Sequence, residues 1–153
     1  MAKQTFQTAP EVIVASQAGF CPGVKRAVNA LEERLADKAE NARIFTLGPL
    51  IHNPDFVRET EARGAAVAES NNLPELLSTI DAEHPMVIIT RAHGVPRATA
   101  ALLKKAAADT PFLTVVDCTC PYVAKIHDVV AQYDDGAHVL FLLGTAGHPE
   151  VEG

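Results

Sequence analysis

Aromatic residues are scarce: they make up 5% of the 153 residues, and tryptophan is absent. Binding of single-stranded nucleic acid by base stacking therefore has little to work with. A formal net charge of −6 also disfavours a polyanionic partner. There are only three cysteines, Cys21, Cys118 and Cys120, too few for a secreted disulfide framework. No apolar run approaches the roughly 20 residues that span a bilayer. Residues 1–10 are polar and lack the apolar core of a secretion signal. Together these absences point to a cytoplasmic protein with neither a nucleic-acid nor a membrane partner. There is no Gly-x-Gly-x-x-Gly and no Gly-Lys-Ser/Thr, which counts against ordinary dinucleotide and nucleoside triphosphate sites. No Cys-x-x-Cys pair suggests a zinc ribbon.

What is present is an ordinary globular composition, 48% hydrophobic and 21% charged. The length suits one full domain, or one domain with part of another. Apolar, β-branched runs alternate with helical patterns. Strands are expected at 12–15, 43–47, 65–68, 86–90, 112–116 and 138–143. Helices are expected at 22–35, 53–62, 96–108 and 121–133. Val24, Ala27, Val28 and Leu31 show the three-to-four spacing of a buried helix face, and Pro22 suits a first helical turn. This alternation predicts an α/β fold, a mostly parallel sheet with flanking helices.

A strand, a short polar turn and a helix starting at or near proline recur four times. The turns are 18–21, 92–95, 117–120 and 147–150, and each carries Cys or His. In open α/β sheets, ligands bind outside the carboxyl ends of the strands. Cys21 and Cys120 both precede proline at a predicted helix N-terminus, where the helix dipole favours an anionic sulfur. Two such thiols facing one cavity suit an iron–sulfur cluster, zinc or copper(I). Cys118 lies at a strand end and is expected to be packed, the usual fate of a free cysteine. His52, His93 and His148 sit in loops and can donate to, or hold, an anionic ligand. Glu150 is a carboxylate placed to move protons, and Glu152 alternates away from it if the segment is extended. His127, on the same helical face as Cys120, is expected to pack or to support the site from behind. His84 and His138 are expected at the surface. Lys25 and Arg26 add positive field or simply face solvent.

Five of these segments, in order, resemble the 4-hydroxy-3-methylbut-2-enyl diphosphate reductase family. They are Gly-Phe-Cys-Pro-Gly-Val at 19–24, Gly-Pro-Leu-Ile-His-Asn at 48–53 and Arg-Ala-His-Gly-Val at 91–95. Thr-Cys-Pro at 119–121, with Lys125 and His127, and Gly-His-Pro-Glu-Val-Glu-Gly at 147–153 complete the set. The resemblance implies reductive removal of an allylic hydroxyl, the last step of the methylerythritol phosphate pathway, giving isopentenyl and dimethylallyl diphosphate. It implies a 4Fe-4S cluster held by three cysteines, with Cys21 and Cys120 as the first two and the third absent from this chain. It assigns His52, His93 and His148 to the small-molecule allylic diphosphate substrate and Glu150 to proton relay. Ferredoxin or flavodoxin is the implied electron donor.

The family fold has three similar α/β domains. Residues 1–118 correspond to the first, and 119–153 to an incomplete start of the second. Family members are about twice this length, so the chain is expected to be an inactive N-terminal fragment. The alternative is a non-catalytic diphosphate-binding module that uses the three histidines without redox chemistry.

Overall fold

The computed structural model describes residues 11–16, 18–39 and 41–152. Strands β1 (Arg43–Leu47), β2 (Ala65–Ala68), β3 (Met86–Thr90) and β4 (Leu113–Val116) form one sheet in the order β2-β1-β3-β4. Every pairing is parallel; Thr46 stands opposite both Val67 and Ile89, and Ile88 opposite Val115. Helices α1 (Pro22–Ala36), α2 (Pro54–Ala62), α3 (Leu73–Leu77), α4 (Arg97–Asp109), α5 (Pro121–Tyr133) and α6 (Pro149–Glu152) complete the chain.

Strand alternation sends neighbouring side chains to opposite faces of the sheet. Ile89 and Ile44 pack with Ala27 and Leu31 of α1 on one face. Ile88, Met86 and Leu47 pack with Leu73 of α3 and Leu103 of α4 on the other. The sheet is therefore apolar on both faces, as parallel sheets generally are. Cys118 belongs to the α1-side core at 2% exposure, the packed position expected for it.

Local signals set the helix starts. Asn53 caps α2, its side chain accepting from the backbone N–H of Asp55 at 2.9 Å and of Phe56 at 3.4 Å. Proline stands in the first turn of α1, α2, α3 and α5.

Two expected strands do not form. Residues 12–15 and 138–143 carry no strand pairing. Val12, Ile13 and Val14 are exposed, as are Val139, Phe141 and Leu143. Both segments have the composition of a buried strand, but neither edge of the sheet, β2 or β4, takes them as a neighbour. A strand requires a partner for its N–H and C=O groups, not just an apolar sequence. Two elements were also missed: a 3-10 turn at Ser70–Asn72 and the five-residue α3, both too short to show a helical period. Residues 149–152 form one helical turn, so the extended-chain alternation that set Glu152 apart from Glu150 does not apply. Among the described residues, no helix is long and apolar enough to cross a membrane.

Leu31→Ala, at a position with 0% exposure, is expected to lower the unfolding free energy by about 2–5 kcal/mol. Val139→Ser, at an exposed position, is expected to change it by less than about 0.5 kcal/mol. Urea titration measures both, and equal losses would show that 138–143 is buried after all.

Candidate cysteine and histidine site at the strand ends

Parallel pairing puts the carboxyl ends of β1, β3 and β4 at one edge. The loops leaving that edge carry His52, His93 and Cys120. Cys120 is the N-cap residue of α5 and Cys21 that of α1, and neither side chain is occupied in a capping hydrogen bond. Cys21 is exposed and Cys120 half-buried.

A glycine joins the two helix ends. A Cβ on Gly23, in the first turn of α1, would stand 3.1 Å from Cys120 Sγ and 3.2 Å from Cys120 Cβ. Any larger residue there would push the sulfur away. The Cys120 thiol thus rests against the first turn of the helix that Cys21 caps. Cys118, by contrast, is buried, and burial foremost pushes its thiol above the ordinary value, with Asp117 adding to this and Arg26 opposing it. It is not placed to act as a third donor beside the other two.

The three loop histidines gather as expected. His93 is central: its ring centroid is 5.7 Å from His148, edge-on, and 6.5 Å from His52. Glu150 joins them, its Oε2 4.0 Å from His148 Nδ1, while its own backbone N–H donates to that same nitrogen at 3.3 Å. His127 Nε2 lies 3.2 Å from the Glu150 carbonyl oxygen. It supports the turn bearing Glu150 from behind, the role open to it in the sequence. His84 and His138 lie at the surface beside Asp81 and Asp135.

Burial, first of all, holds His93 below the ordinary histidine range; Arg91, His148 and His52 push the same way, and Glu150 opposes them. Arg91 gave no sign in the sequence beyond its place in the Arg-Ala-His-Gly segment. Its guanidinium lies against Gly48, where a Cβ would stand 3.1 Å from Nη1, and Gly48 adopts φ +75°. Its Nε is buried without a hydrogen-bond partner among the described residues. A fixed cation thus stands near His93 and disfavours charge on its ring.

Among the described residues, no three His, Cys, Asp or Glu side chains are grouped to hold a metal ion. The sulfurs supply two donors, and the imidazoles with Glu150 form a separate polar group. The fold and the site together define a class: an α/β protein with a parallel sheet, two cysteines at helix N-termini and a cluster of imidazoles beside its strand ends.

The LytB protein family model matches residues 12–153, and the chain belongs to that family. The 4-hydroxy-3-methylbut-2-enyl diphosphate reductase of Caldanaerobacter subterraneus is 34% identical over 143 residues, covering 94% of this chain and 46% of that protein. The reductase of the same name from Aquifex aeolicus is 36% identical, covering 94% of this chain and 44% of its own length. A solved structure of (E)-4-hydroxy-3-methyl-but-2-enyl diphosphate reductase superposes with a TM-score of 0.69 at 35% identity, covering 93% of this chain and 45% of that one. The Plasmodium falciparum reductase structure gives 0.66 at 27% identity, covering 89% and 38%. The chain spans about half the length of the curated relatives it matches.

His93 is expected to titrate below the ordinary value of 6.5 when its ring signals are followed by NMR. Glu150→Gln should lower it further, because that carboxylate is the one neighbour raising it. The folded value is depressed, so the stability His93 contributes is complete above the unfolded value and is lost as pH falls toward the folded one. A titration above 6.5 would contradict this arrangement.

Proposed function

We propose that this chain carries one part of a 4-hydroxy-3-methylbut-2-enyl diphosphate reductase site: two of the cluster thiolates, the imidazoles for the diphosphate and the proton-relay carboxylate. The observation that carries this is the Gly23–Cys120 contact, which sets one sulfur against the helix that the other caps. In the overall reaction the allylic C–O bond breaks, two electrons and two protons enter, and water leaves with isopentenyl or dimethylallyl diphosphate.

The residues fit a 4Fe-4S cluster only in part. Cys21 and Cys120 sit where thiolates suit it, but the remaining cysteine is packed in the core. A third sulfur belongs to the part of the relatives' length that this chain does not span. When bound, such a cluster supplies electrons and a Lewis-acidic iron.

The chain's own groups do the rest. His52, His93 and His148 form a row of donors for diphosphate oxygens, with Arg91 as fixed positive charge behind it. Charge-assisted hydrogen bonds of this kind are the stronger ones. Glu150, beside His148, relays the proton toward the leaving oxygen. Ferredoxin or flavodoxin serves as electron donor, and the protein works in the cytoplasm. Residues 1–118 form the first α/β domain and 119–153 begin the second, a division supported by the sheet ending at Val116.

The test is anaerobic reconstitution with iron and sulfide, with and without the C-terminal half of the Aquifex aeolicus reductase. Substrate reduction by reduced viologen is expected only when both halves are present. It should be lost in Cys21→Ser and Cys120→Ser, and lowered about 10²–10⁴-fold in Glu150→Gln. The chain alone is expected to hold little or no cluster. A stable, stoichiometric 4Fe-4S spectrum on the chain alone would contradict the missing third sulfur. Diphosphate binding that depends on His93 without any reconstituted activity would favour a non-catalytic module.

A further inference from the structure

Asp117 stands at the end of β4, three residues before Cys120. Its Oδ1 accepts from three donors: the Thr119 N–H at 2.9 Å, the Thr119 hydroxyl at 2.6 Å and the Thr90 hydroxyl at 3.0 Å. Thr90, buried at the end of β3, in turn accepts from the Cys118 N–H at 2.9 Å. From α1, the Arg26 guanidinium donates to the Thr119 carbonyl. The Cys120 N–H donates to the Ala92 carbonyl at 2.8 Å, next to His93.

These bonds fasten the β4–α5 turn to β3, to α1 and to the His93 loop. None of them touches an imidazole. What they hold in common is the turn that ends at Cys120, whose sulfur then meets Gly23. Hydrogen bonds to a carboxylate are stronger and more directional than neutral ones, so the acceptor of three of them fixes the turn more than any other group in it.

We propose that Asp117 is the positioning residue for the Cys120 thiol, setting it against the first turn of α1 through Thr90 and Thr119. This rests on the reading of Cys120 as a metal-ligating thiol and deepens it. Without the carboxylate, one backbone N–H and two hydroxyls lose their acceptor. The turn comes away from β3, and the sulfur leaves the Gly23 contact. Asparagine at 117 keeps an oxygen for the same three donors.

The test uses the 153-residue chain and its Asp117→Ala, Asp117→Asn and Thr90→Val variants. Two quantities are measured: the iodoacetamide alkylation rate of each cysteine by mass spectrometry, and capture of paired thiols by phenylarsine oxide. In Asp117→Ala, Cys120 alkylation is expected to rise about tenfold, the factor that losing a hydrogen bond to a charged group allows. The Cys21 rate should hold, Cys118 should stay protected, and arsenical capture should fall. Asp117→Asn, which keeps an acceptor oxygen without its charge, and Thr90→Val are both expected to fall between wild type and Asp117→Ala.

Loosening of the whole fold would expose Cys118 together with Cys120, and that pattern overturns positioning. An unchanged Cys120 rate, or Asp117→Asn matching Asp117→Ala, also overturns it. The two claims fail separately. No capture in wild type, with Cys120 still accelerated in Asp117→Ala, overturns the ligand reading and supports positioning. Equal capture in all variants overturns positioning and keeps the ligand reading.

Discussion

Parallel pairing of β1, β3 and β4 constrains everything else in this molecule. A parallel strand must be re-entered from the same end, so the chain leaves each of these strands at one edge. His52, His93 and Cys120 follow β1, β3 and β4 respectively, and the register, not any attraction among them, puts them on that edge. The buried β-branched residues that hold the register, Ile44, Ile88 and Ile89 above all, are remote from the chemistry and yet determine where it happens.

Within that edge, two sets of groups are kept chemically distinct. The thiols stand at helix N-termini, and Gly23 lets one helix end approach the other. The imidazoles stand beside them with Glu150 and Arg91, and partial burial disfavours charge on His93. Soft sulfur donors and hydrogen-bonding imidazoles suit different ligands. The N-caps of α1 and α5 carry the sulfurs, and the loops after β1 and β3 carry His52 and His93. The chain belongs to the LytB family and spans about half the length of the curated relatives it matches.

Most of the sheet was legible because its strands are short apolar runs between turn signals. Arg43–Leu47, Ala65–Ala68 and Met86–Thr90 fall where the pattern puts them. Residues 12–15 and 138–143 have the same pattern and do not pair. Composition records a preference for burial, whereas pairing depends on a neighbour that the segment itself does not encode. The site divides similarly. Thiols, imidazoles and Glu150 stand out by residue type, and His52, His93 and Cys120 also by position after strands. Arg91 lies against Gly48 and Asp117 bonds Thr90, 27 residues away, and no local spacing reveals these long-range contacts. An Asp two residues before Thr, ahead of a Pro-initiated helix, was the one available hint, since Asp commonly bonds the backbone two residues on.

The sulfurs of Cys21 and Cys120 must meet at one point if they are to share an ion. X-ray absorption of the chain loaded with one equivalent of cadmium, a thiolate-seeking ion, measures this directly. Two sulfur scatterers on each cadmium, falling to one in Cys120→Ser, is the predicted result. A single sulfur or none in the unaltered chain would contradict it.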